Sequence, residues 1–130
     1  MGAVNFFQIA IGKDADTAFR TAKGEAQYDF GHAGYTGTIA EKHSFIIYDA
    51  PPNMSAFKYA EMIENGNCNL FKIDPMYADT LKRAIDCFDD KWGASVCIPL
   101  IGKELKEYKQ AHGLEKTRKK VFIFCGMASD

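Results

Sequence analysis

The sequence predicts an α/β or α+β sandwich, with a mixed sheet of about four strands packed by about four helices in the order β-α-β-α-α-β-α-β. Two observations carry this. Short β-rich apolar runs at 4–11, 38–48, 95–101 and 120–126 alternate with segments whose apolar residues recur every three or four positions. The long stretches between these runs leave no two-residue hairpins, so crossover connections are expected. With 130 residues, 47% of them apolar and 13% aromatic, the chain can bury a core without disulfides or metal, and it reads as one domain over 1–130. It contains no internal repeat, low-complexity tract or linker.

Val4 to Ile11, closed by Gly12, reads as the first strand. Asp14 or Asp16 can cap the helix that follows, in which Ala15, Ala18, Phe19, Ala22 and Ala26 form a narrow apolar stripe able to lie close against a sheet. Gly24 inside this helix signals either a tight contact or an irregular turn, and Gly31 is a natural stop. Thr38 to Tyr48 alternates as a second strand, which puts Glu41 and His43 on the parity of Ile39, Phe45 and Ile47 and aims two ionisable groups at the buried face. A bulge at the glycine-rich entry would cancel that inference. After the turn Asp49-Ala50-Pro51-Pro52-Asn53, Asn53 or Ser55 can cap a helix holding Phe57, Ala60, Met62 and Ile63.

Asp74 followed by Pro75 marks a helix start, and Tyr77, Ala78, Leu81, Ala84, Ile85 and Phe88 continue at helical spacing to about Asp90. Ser95 to Ile101 is a third strand in which Pro99 favours an edge or a bulge. Lys103 to His112 is a charged helix with Gly113 after it. Lys120 to Gly126 is a nearly continuous apolar run, as in a strand covered on both faces.

The net charge of −1 is uneven. Residues 103–120 hold seven Lys/Arg against three Glu, while residues 1–102 hold nine against thirteen Asp/Glu. The basic 103–120 face could dock an acidic protein partner, or serve only as a solvated helix and turn. Nothing gives a specific nucleic-acid signal, and a homo-oligomer is compatible with the sequence. Cys68, Cys87, Cys97 and Cys125 lie 19, 10 and 28 positions apart with no C-x-x-C pair, so no metal site and no cofactor are expected. The first residues lack a basic n-region and an apolar h-region, and no run of about 18 apolar residues could span a bilayer. The expected setting is cytoplasmic, with reduced thiols.

Polar chemistry concentrates in Gly31-His32-Ala33-Gly34-Tyr35-Thr36-Gly37-Thr38-Ile39-Ala40-Glu41-Lys42-His43. Flexible backbone at Gly34-Tyr35-Thr36-Gly37-Thr38, with two hydroxyls and Lys42 nearby, meets the physical need of a loop that cradles an anion. The stretch is neither a Walker nor a Rossmann loop, because it lacks G-K-[ST] and lies between a helix and a strand rather than after one. Its three glycines could equally just make the connection. His32, Glu41 and His43 could supply acid and base, since a histidine beside a carboxylate can move protons near neutral pH. Tyr28 or Tyr35 could stack on a base. No nucleophile stands in a recognisable activating context.

The combination of Tyr28, Gly31-His32 and Gly34 to Lys42 (GYTGTIAEK) with the C-terminal Phe122 to Ser129 resembles small uncharacterised proteins of bacterial and phage genomes. The resemblance covers most of the chain, brings no assigned activity, and implies a stand-alone cytosolic protein, phage-borne among the origins it allows. Two functions follow as expectations. One is binding of an anionic or nucleotide-like small molecule through Tyr28, Gly34, Tyr35, Thr36, Gly37, Thr38 and Lys42, with Glu41 ordering the loop. The other is a metal-independent hydrolase or transferase using His32 or His43 with Glu41. A protein-interaction module is the third, blander reading.

Overall fold

The computed structural model describes residues 2–30, 36–52, 54–66 and 75–129. Their elements follow the expected order: β1 (Ala3–Gly12), α1 (Ala15–Phe30), a short 3-10 turn (Ile39–Glu41), β2 (Phe45–Ile47), α2 (Ala56–Glu64), α3 (Pro75–Asp89), β3 (Ser95–Pro99), α4 (Gly102–Ala111) and β4 (Lys120–Ser129). The four strands described form one mixed sheet in the order β1-β4-β3-β2. β4 is antiparallel to both β1 and β3, whereas β2 runs parallel to β3. The parallel pair needs a long crossover, and α2 and α3 supply it.

Strand parity assigns the two faces. Phe122, Phe124 and Ala128 of β4, with Phe6 and Ala10 of β1 and Cys97 of β3, pack against Ala18, Phe19, Ala22 and Ala26 of α1. The alanine stripe evident in the sequence is thus the contact surface of α1. Val121, Ile123 and Cys125, with Val96 and Ile98, point the other way and pack against Tyr59, Ala60 and Ile63 of α2 and Leu81, Ala84 and Phe88 of α3. Helices therefore cover both faces, so β4 is buried along nearly its whole length and its uninterrupted apolar run is explained.

Local signals set several boundaries. Asp14, rather than Asp16, caps α1: its Oδ1 accepts from the Thr17 N–H at 2.8 Å, and this hydrogen bond holds its carboxyl below the usual carboxylate range. Ser55 caps α2, accepting from the N–H groups of Phe57 and Lys58. The Asp74 cap lies outside the described residues, but α3 does begin at Pro75. Gly24 sits on the exposed side of α1 with no atom within 4 Å of where a Cβ would stand, so it mediates no tight contact.

Two expectations are corrected. Pro99 does not mark β3 as an edge strand, for β3 lies between β4 and β2. Pro99 is its last residue, beyond the final β2 pair at Ile47↔Cys97, so its missing N–H interrupts nothing on that side. The second strand is Phe45–Ile47 alone, not Thr38 to Tyr48. Thr38, in extended backbone, caps the 3-10 turn, its hydroxyl accepting from the Ala40 N–H at 3.2 Å. That turn breaks the two-residue alternation, so the expected parity fails: Ile39 and Lys42 are buried, while His43 and Ile47 are exposed.

Candidate functional site

The described part of the glycine-rich stretch is held by its own hydrogen bonds. Gly37, at φ 71°, is buried and donates its N–H to the Ser129 carbonyl at 2.8 Å, tying the segment to the end of β4. A left-handed φ at this point favours glycine over any residue with a Cβ. Glu41 Oε2 accepts from the Thr36 N–H at 3.2 Å and from the Thr36 hydroxyl at 2.7 Å. The two threonine hydroxyls are 2.8 Å apart. Glu41 thus orders the segment, as one reading of the sequence expects. The Thr36 and Thr38 hydroxyls and the Thr36 and Gly37 amides, expected to face an anion, are spent on these internal bonds.

Lys42 departs most from expectation. Its side chain is only 1% exposed, and Nζ donates to the carbonyls of Asp90 at 3.0 Å, Gly93 at 3.1 Å and Lys91 at 3.4 Å. These carbonyls follow the C-terminus of α3, where helix dipoles accumulate negative charge and α3 itself has no basic residue in its last turn. Nζ also lies 6.0 Å from the Phe6 ring centroid. Burial pushes the ammonium below the usual lysine range, opposed by nearby Cys87 and Asp90. Lys42 is a cation cap supplied by a distant segment, and a ligand cannot recruit it without orphaning three carbonyls.

The remaining predicted residues separate. Tyr28 is 90% exposed near the end of α1. His32, Gly34 and Tyr35 lie outside the described residues. His43 is exposed and lines a cleft against α1, so it does not share a buried face with Glu41 as the strand parity predicts. The basic 103–120 face is α4 and the turn after it, and part of its charge is used locally: Lys103 pairs with Glu107 at 3.7 Å and Lys109 donates to the Thr117 carbonyl at 2.6 Å.

The cleft beside His43 brings together residues that no motif in the sequence singles out. It encloses about 420 Å³ between α1 and the entry to β2, lined by Asp16, Arg20 and Lys23 of α1 with His43, Ser44 and Phe45, and Phe19 lies at its base. Asp16, Arg20 and Lys23 stand at helical spacing on one side of α1. Phe19 and Phe45 give the cleft an aromatic floor backed by the buried Phe124, with ring centroids 5.1 Å apart for Phe19–Phe45, 5.6 Å for Phe19–Phe124 and 5.9 Å for Phe45–Phe124. Lys23 Nζ lies 5.8 Å above the Phe19 ring.

No protein-family model, curated protein or solved structure matches this chain. The ion pairs among the described residues, Arg83–Asp79 and Lys103–Glu107, lie elsewhere, so Arg20 and Lys23 are in no ion pair, although the Arg20 charge reaches Asp14. Against the single Asp16 carboxylate they leave the lining positive. A positive rim over an aromatic floor suits a small anion attached to a flat apolar group. The sequence held a signal for this site in Asp16-x3-Arg20-x2-Lys23, but the same spacing describes any solvated helix face. Only the docking of α1 against Phe45 makes it concave.

Proposed function

We propose that the protein binds a small anionic, nucleotide-like molecule in the cleft between α1 and β2. The observation that carries this reading is the convergence of Arg20, Lys23 and His43 over the Phe19–Phe45 floor. Arg20 presents a planar fork of donors suited to a phosphate or carboxylate, and Lys23 adds a second charge. His43 and Ser44 donate from the opposite wall, and the aromatic floor takes a planar ring. The site lies next to the glycine-rich stretch rather than within it. Thr36, Gly37, Thr38 and Glu41 support it indirectly, by fixing the segment that leads into His43.

Calorimetric titration with a panel of nucleoside monophosphates and with inorganic phosphate tests the proposal. Each charge-assisted contact contributes about 1.5 kcal/mol or more, so Arg20→Ala and Lys23→Ala should each weaken binding by about tenfold. Their combination should abolish it, and raising salt should weaken it progressively. No heat with any member of the panel, or unchanged affinity in the doubly substituted protein, overturns the assignment.

A further inference from the structure

We infer that the free edge of β1 pairs with the β1 of a second copy, joining two four-stranded sheets into one of eight strands. Among the described residues no strand lies beyond β1. Its ten residues, AVNFFQIAIG, include no charge and no proline, and they pair one-to-one with β4 from Ala3↔Ser129 to Gly12↔Lys120 without a bulge. Proteins that keep an edge strand solitary blunt it with a lysine, a proline, a bulge or a short length. β1 has none of these.

Size distinguishes this edge from the one at β2. Ten residues at about 3.3 Å each make a strand about 33 Å long. With the sheet and one helix layer about 20 Å thick, such a strip covers about 650 Å², close to the about 800 Å² per partner of a standard stable interface. The three-residue β2 offers about a third of that length. Polarity does not separate the two edges, since β2 also exposes Ile46 (47%) and Ile47 (48%); length does. Phe7 is 50% exposed and Val4 40%, on opposite faces of the strand. From Phe7 an aromatic path runs off the strand: its ring is 6.5 Å from that of Phe57 in α2, Phe57 is 6.4 Å from Tyr108 in α4, and Tyr108 stacks on His112 at 4.0 Å.

A two-fold axis through the middle of β1 makes the pairing antiparallel and places Phe7 and Gln8 of both copies nearest the axis. Along the strand itself two identical edges meet with no like charges opposite one another, and the Glu25 and Glu64 carboxylates that reach β1 are hydrogen-bonded to the Gln8 and Asn5 side chains of their own copy. The occupant that needs no further complementarity is the chain itself.

Sedimentation equilibrium of the full chain over a roughly hundredfold range of concentration tests this, alongside Phe7→Lys and Ile46→Lys. The wild type and Ile46→Lys, which alters the other edge, should be dimeric, and Phe7→Lys should be monomeric with an unchanged circular dichroism spectrum. A monomeric wild type, a Phe7→Lys variant that stays dimeric, or a dimer lost in Ile46→Lys overturns the proposal. Should Phe7→Lys not fold, hydrogen exchange of the wild type decides. Protection of alternate β1 amides must grow with protein concentration, and protection independent of concentration refutes the pairing.

Discussion

At the scale of single residues, Lys42 shows how tertiary context reassigns chemistry. Within the sequence it is a cation beside threonines and glycines, the composition of an anion site. In the fold its Nζ donates to three carbonyls after α3, and the neighbouring threonines bond to Glu41 and to each other. Replacing it should therefore damage the fold rather than ligand binding. Lys42→Met keeps the length of the side chain and leaves the Asp90, Lys91 and Gly93 carbonyls without their donor, at a cost of about 1–3 kcal/mol in urea unfolding. Folded Lys42→Met should retain the affinity of the cleft for its anion. A loss of binding larger than the loss of stability would return Lys42 to the site.

At the scale of elements, the helices were legible, whereas of the second strand only its place in the order was, not its extent. Start signals such as Asp14 and Ser55 act through bonds two or three residues away, and Pro75 acts through its own fixed φ, so they survive in the sequence as local patterns. The Thr38–Tyr48 alternation failed because a capping threonine and a left-handed glycine favour a 3-10 turn, and polar alternation alone cannot reveal that competition. Gly24 offers a direct check on α1. It stands in the helix interior, exposed, with open space where a methyl group would stand, so Gly24→Ala should stabilise the protein by up to about 1 kcal/mol. Thermal unfolding measures this, and a lower midpoint would mean that α1 needs the glycine for a contact the structure does not contain.

At the scale of the whole molecule, two cores share one sheet, and each holds a buried thiol. Cys97 lies in the α1 core and Cys125 in the α2/α3 core, and burial pushes both thiols up to about 12 from an ordinary 9.0. The unfolded chain loses these protons first, so folding stability is intact below pH 9 and falls as pH rises from there toward 12. Between pH 8 and 10 each thiol should remove about 1.4 kcal/mol from the unfolding free energy. Cys97→Ala and Cys125→Ala should each flatten that slope by one thiol's share, Cys87, also pushed up by burial, adding to what remains. An alkaline slope unchanged by both substitutions would show that other groups cause it.

The order of elements, the β-strand character of the two terminal runs and the apolar face of α1 follow from the chain read on its own, because periodicity and caps are local properties. Strand order, the placement of helices on both faces, and the fate of each polar group between Thr36 and His43 arise only on folding. The reason is physical. Asp90, Gly93 and Ser129 are distant in sequence from that segment, yet their carbonyls accept the protons of Lys42 and Gly37. Likewise the proposed cleft exists only where α1 and the β2 entry meet, a juxtaposition of residues 16–23 with 43–45 that no spacing within either stretch encodes.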